Sequence, residues 1–220
     1  KYLIDENTML AAGNCQTSQA MAIYYNIFEP AERKAAFEQL INLIEEQEYH
    51  LDVGVLGGRV LFHVLTDFGY SDLAFSMITR PDYPSYGNWI ARGATTLWEV
   101  FQPEGSDRIG SLNHHFWGDI SSWFTQALSG IRMAPHGEPN EVDFRPSFIS
   151  RLTHAEAFHI APAGRIASAW ERDEDDVIEL TVELPSTMHG VIRLESGYVF
   201  EDGLAYKAAE SGTYRIHSIE

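Results

Sequence analysis

Residues 30–47, PAERKAAFEQLINLIEEQ, decide the fold class of the first part of the chain. Phe37, Leu40, Ile41 and Ile44 recur at helical spacing opposite a charged face carrying Glu32, Arg33, Glu38 and Glu45, the signature of a surface helix with one buried stripe. Pro30 is predicted to occupy the first helical turn, where its missing N–H costs nothing. On either side lie apolar runs, Ser18–Phe28 and Gly58–Phe68, that read as more deeply buried helices, and short connections such as His50–Gly57 and Gly69–Ser71 join them as helical hairpins. A last helix is expected over Asn113–Leu128. After Gly130 the pattern turns to Pro, Gly and short alternating runs. Val177–Leu184, Gly190–Leu194 and Gly212–Ile219 read as strands of an antiparallel sandwich. The boundary is placed between Gly130 and Asp143, giving a helical domain over 1–133 and a β-domain over 134–220. The acidic run Asp173–Asp176 reads as a solvated turn, because consecutive strand side chains point apart and cannot converge on an ion.

The chain has 220 residues, 45% of them hydrophobic, enough to bury a core in one large or two modest domains. Its 32 acidic and 15 basic residues give a formal charge of -17, which repels nucleic-acid backbones and anionic membranes and favours a neutral or cationic ligand. Cys15 is the single cysteine, so an intrachain disulfide and multi-thiolate metal sites are excluded. No apolar run reaches the ~20 residues of a spanning helix, and no secretory leader is legible at the start. A cytoplasmic location is the expectation.

Chemistry concentrates in Gly93–Gly118, GATTLWEVFQPEGSDRIGSLNHHFWG. Glu99 sits between Trp98 and the pair Val100 and Phe101, surroundings suited to a general base, though a buried structural carboxylate fits the same pattern. Thr95 and Thr96 are placed to orient Glu99 or to cap a helix. Trp89, Trp98, Trp117 and Trp123 fall in one short span, and flat indoles can cover the apolar face of a polar ligand; Trp117 and Trp123 read as core, leaving Trp98 for the site. His63, on an apolar helix face, reads as a core histidine. Asp119 reads as a carboxylate favoured at a helix N-terminus.

GATTLWE (93–99) followed by SLNHHFWGDISSWFTQALSGI (111–131) resembles the catalytic-barrel end of the inverting α-L-rhamnosidases, a family of glycoside hydrolases. NCQTSQAMAIYYNIF (14–28) and YHLDVGVLGGRVLFHVLTDFGYSDLAF (49–75) resemble the helices leading to the same site. SGTYRI (211–216) resembles part of the family's terminal β-sandwich. The resemblance implies about the last half of an (α/α)6 barrel, of α+β multidomain character overall, followed by an antiparallel β-sandwich. It places the general base on Glu99 and a sugar contact on His114, and it brings His50 and Asp52 to the same end of the barrel as candidate hydroxyl ligands. His115 stands where an aromatic is commoner and takes no implied role. The family's general acid belongs to an acidic, tryptophan-bearing motif upstream of these helices, and nothing in residues 1–220 matches it.

The expectation is therefore the C-terminal portion of a glycosidase that removes terminal α-L-rhamnose by inverting hydrolysis, inactive in isolation. It needs no cofactor and no metal, and it is open to self-association through the face of the partial barrel. The alternatives are a helical-barrel glycosidase for another sugar and a non-catalytic carbohydrate-binding piece.

Overall fold

The computed structural model describes residues 2–107 and 110–219. By internal contacts the chain divides into two compact units, Lys1–Ile120 and Ser121–Glu220.

The first unit opens with a small antiparallel hairpin, β1 (Ile4–Asp5) and β2 (Leu10–Ala11), and continues through helices α1 (Gln16–Tyr24), α2 (Arg33–Glu46), α3 (Val55–Asp67), α4 (Ser71–Thr79) and α5 (Tyr86–Ala91). α1 packs against both α2 and α3, α3 against α4, and α4 against α5. In α2 the buried positions are Ala36, Phe37, Leu40 and Ile44, close to the stripe read from the sequence. Pro30 lies in the turn before α2 rather than within its first turn. The helix ends through Glu48 and Tyr49, whose φ values of 52° and 61° are left-handed, and the Tyr49 amide donates to the Ile44 carbonyl at 2.9 Å.

Two buried amides tie α1 to its surroundings. Gln19 accepts from the Ala11 amide at 2.7 Å and donates to the Met9 and Ala36 carbonyls at 2.9 and 2.8 Å, so it joins β2 and α2. Gln16 donates to the His50 carbonyl at 2.9 Å and accepts from the Asp52 amide at 3.0 Å. Both side chains are fully buried, where a missing partner would cost about 1–3 kcal/mol.

The helix expected over Asn113–Leu128 is shorter. It forms as α6 (Asp119–Trp123), followed by a π-helical turn at Phe124–Leu128. Residues 111–114 are instead engaged with the stretch carrying Glu99: the Glu99 amide donates to the Ser111 carbonyl at 2.9 Å and the His114 amide to the Leu97 carbonyl at 2.8 Å.

In the second unit, β3 (Ile131–Met133), β4 (Glu141–Phe144), β8 (His189–Arg193) and β10 (Tyr206–Ala208) form a four-stranded sheet in the order β10-β8-β4-β3. A five-stranded sheet runs β5-β6-β7-β11-β9, built from His154–Ala161, Gly164–Arg172, Ile178–Glu183, Gly212–Ser218 and Tyr198–Phe200. Every pair is antiparallel except β4 with β8, which is parallel, with Val142 opposite Gly190. Alternation sets the faces: in β7, Ile178, Leu180 and Val182 are buried and Glu179, Thr181 and Glu183 exposed. The apolar core gathers Phe144, Ile166, Trp170, Ile192, Phe200 and Ile216 from both sheets. Asp173–Asp176 forms the exposed turn between β6 and β7, where Asp173 Oδ1 accepts from the amides of Asp175 and Val177, both at 2.9 Å.

Candidate active site

Glu99 reaches its cleft from a loop, not a helix. After Gly93 the backbone runs back past residues 110–114, and Glu99 Oε2 accepts from the Ser111 amide at 2.8 Å. The Glu99 carbonyl accepts from Trp117 Nε1 at 2.9 Å. Trp117 is 4% exposed and packs on Phe101, Tyr86 and Trp89, with ring centroids 4.5, 6.2 and 6.2 Å away. Its six-membered ring lies over Gly58, where an added Cβ would come 2.5 Å from Cζ3. The catalytic candidate is thus carried by an aromatic cluster seated on a helical glycine.

The half-buried Glu99 side chain lines a cleft of about 540 Å³ together with Asp52, Thr17, Tyr83, Phe101 and Trp117. Asp52 precedes α3, and its backbone is fixed by Gln16. The volume is that of a small-molecule site, lined by polar and apolar surface in similar measure, with two carboxylates.

The other sequence candidates fall elsewhere. The Trp98 ring is buried against Trp89, with centroids 6.1 Å apart, under the Arg92 guanidinium at 5.1 Å, and does not line the Glu99 cleft. His50 is committed to its loop: Nδ1 lies 3.0 Å from the Gln47 carbonyl and Nε2 2.8 Å from Asp82 Oδ2. Arg80 holds the same carboxylate through Nε and Nη2 at 2.9 and 2.8 Å, and Arg80 first and His50 second keep the Asp82 carboxyl well below the usual range. This triad anchors the loop bearing Tyr83. His114 packs edge-on against Phe116 at 4.2 Å, and its buried Nε2 makes no hydrogen bond among the described residues. Thr96 donates to the Leu112 carbonyl, so it braces the loop rather than orienting the Glu99 carboxylate or capping a helix.

His115 and Asp119 border a second cleft with Leu56, Arg59 and Phe116. Asp119 Oδ2 lies 3.2 Å from His63 Nε2, so the carboxylate at the start of α6 pairs with a mostly buried histidine. Burial first and Asp119 second raise the pKa of nearby Tyr24.

Residues 1–128 match the bacterial alpha-L-rhamnosidase 6 hairpin glycosidase domain, and residues 140–197 match the bacterial alpha-L-rhamnosidase C-terminal domain. The chain belongs to the bacterial α-L-rhamnosidase family. An α-L-rhamnosidase of Streptomyces avermitilis is 28% identical over 93% of this chain and 21% of its own length. One of Formosa agariphila is 32% identical over 78% of this chain and 19% of its own. The crystal structure of the Streptomyces avermitilis α-L-rhamnosidase complexed with L-rhamnose superposes with a TM-score of 0.84 at 27% identity, covering 97% of this chain and 22% of that one. The α-L-rhamnosidase from Dictyoglumus thermophilum gives 0.81 at 26% identity, over 98% and 27%. The chain therefore spans about a fifth of the length of the curated rhamnosidases it matches.

Trp117 is buried, as its core reading expects, and its edge still reaches the cleft, while Tyr83 was not singled out from the sequence. The cleft includes both. Gln16 went unread as well, although two glutamines one helical turn apart, Gln16 and Gln19, at the start of the apolar helix α1 are a legible signal of buried tethering.

Proposed function

We propose that this chain supplies the general base and part of the sugar pocket for inverting hydrolysis of terminal α-L-rhamnosides. The observation that carries the reading is Glu99 on a cleft with Asp52, within a stretch that matches the rhamnosidase hairpin domain. In this mechanism Glu99 takes a proton from a water molecule as that water attacks the anomeric carbon, and an acid outside residues 1–220, about 6.5–9.5 Å away, protonates the departing oxygen. Ser111 N–H and Trp117 hold Glu99 in place. Asp52 accepts a hydrogen bond from a sugar hydroxyl, and the Phe101 and Trp117 side of the cleft meets the apolar face of the pyranose.

The test uses the longest polypeptide encoded by the gene. Glu99→Gln lowers kcat about 10²–10⁴-fold with little change in KM, and NMR of the first turnovers shows rhamnose released with inverted configuration. Retention of configuration, or wild-type turnover by Glu99→Gln, refutes the assignment. An aryl-glycoside panel in which another sugar is released and rhamnose is not would point to a different substrate for the same barrel. The 220-residue chain alone is expected to release no rhamnose.

A further inference from the structure

The β-sheet unit contains a polar cleft of its own, of about 600 Å³, that the proposed hydrolysis does not use. Its lining includes Ser121, Thr125 and Gln126 together with Arg132, Arg145 and His159. Among the described residues no Asp or Glu lines it, in a chain with 32 acidic and 15 basic residues. The cleft therefore presents guanidinium and imidazole groups with no carboxylate in its own lining, although Asp143 and Glu141 contact Arg145 and His136.

Its guanidinium is set in advance. Arg145 Nη2 donates to Asp143 Oδ2 at 2.7 Å, and Asp143 is 1% exposed and also faces Arg193 Nε at 3.7 Å. With its plane fixed, Arg145 keeps a buried Nε that makes no hydrogen bond among the described residues. A guanidinium with an unsatisfied donor and one nitrogen held by Asp143 still has charge and N–H groups to offer an anion at its exposed part, which is about a third of the side chain. His136, on the same cleft, is oriented by Glu141 Oε1 at 2.7 Å. The lining residues Thr125 and Gln126 belong to the π-helical turn Phe124–Leu128, a rare conformation that is frequent at functional sites.

We propose that this cleft binds an acidic sugar, with its carboxylate on the Arg132 and Arg145 side and its ring hydroxyls on Ser121, Thr125 and Gln126. A planar guanidinium fork matches a carboxylate, while hydroxyl and amide side chains match sugar hydroxyls. The cleft volume suits one or two sugar rings. A long polyanion is disfavoured by the -17 charge of the whole chain. Free inorganic oxyanions share the charge chemistry but not the hydroxyl pattern. The proposal stands apart from Glu99, which lies in the other unit, so either can fail alone.

The experiment titrates the 220-residue chain, followed by amide NMR and calorimetry, with sodium glucuronate, methyl glucoside and sodium sulfate. Glucuronate is expected to shift the amides of residues 121–126 and 131–145, to bind about tenfold or more tightly than the other two, and to weaken with added salt. Arg145→Lys preserves a cation for Asp143 but removes the fork, and is expected to weaken glucuronate about tenfold. Thr125→Val, at a position where the hydroxyl bonds only locally to the Ser121 carbonyl, serves as a second variant that leaves folding intact and also weakens binding. Equal binding of methyl glucoside, sulfate as tight as glucuronate, unchanged affinity in both variants, or shifts confined to other residues would each overturn the proposal.

Discussion

Replacing Trp117 with phenylalanine isolates the contact that seats the candidate base. Trp117→Phe removes the 2.9 Å bond from Nε1 to the Glu99 carbonyl and leaves that carbonyl without its donor, at a cost of about 1–3 kcal/mol. It also withdraws part of a 4%-exposed indole from between Phe101 and Gly58, adding about 1–2 kcal/mol of lost packing. A net destabilisation of about 3 kcal/mol lowers the melting temperature by about 10 °C for a chain of this size, read by circular dichroism at a helical wavelength. Trp89 provides the control. It is 3% exposed, but its buried Nε1 has no hydrogen-bond partner among the described residues, so Trp89→Phe loses packing and no bond. Trp89→Phe is expected to cost less than half as much as Trp117→Phe. If Trp89→Phe proves the more damaging, or Trp117→Phe moves the transition by less than about 2 °C, the reasoning about this hydrogen bond is wrong.

Gly58→Ala, ordinarily favourable within a helix by about 1 kcal/mol, should here destabilise the first unit and alter tryptophan fluorescence, because its Cβ would meet Trp117 Cζ3 at 2.5 Å; a rise in stability would show that the indole has room to move. Gly190→Ala places a Cβ 1.6 Å from the Val142 carbonyl oxygen, so the parallel β4–β8 pairing should be lost and the dispersed amide spectrum of the second unit should collapse, whereas a retained native spectrum would contradict it. Asp82, with its carboxyl held low by Arg80 and then His50, stabilises the fold above the unfolded aspartate pKa of about 3.9 and ceases to as pH falls below it. Its side chain is 51% exposed, so the gain is under about 1 kcal/mol. The urea midpoints of wild type and Asp82→Asn should accordingly converge between about pH 5 and pH 2, and a gap that stays constant with pH would remove Asp82 from the account.

The elements legible in the sequence were those whose pattern is periodic over many residues. The α2 stripe and the alternation in β7 translate directly into burial, because each period is enforced by one apolar face against one core. Asn113–Leu128 misled for the opposite reason: its apolar residues have helical spacing, but the backbone before Asp119 is spent on pairing with residues 97–99, a long-range competitor that local periodicity does not encode. The candidate site divides in the same way. The motif carrying Glu99 was plain, and Asp52 shares its cleft. The packing of Trp98 beneath Arg92, and of His50 onto Asp82, depended on partners 6 and 32 residues away that no motif announces. The parallel β4–β8 pair escaped notice because strand direction has no signature in the alternation itself.

The bond from the Ser111 amide to Oε2 makes the two oxygens of Glu99 unequal. A carboxylate that could pivot would present either lone-pair edge to its surroundings. With Oε2 held by Ser111, the carboxylate is fixed in one orientation and Oε1 is left as the oxygen free to take a further donor.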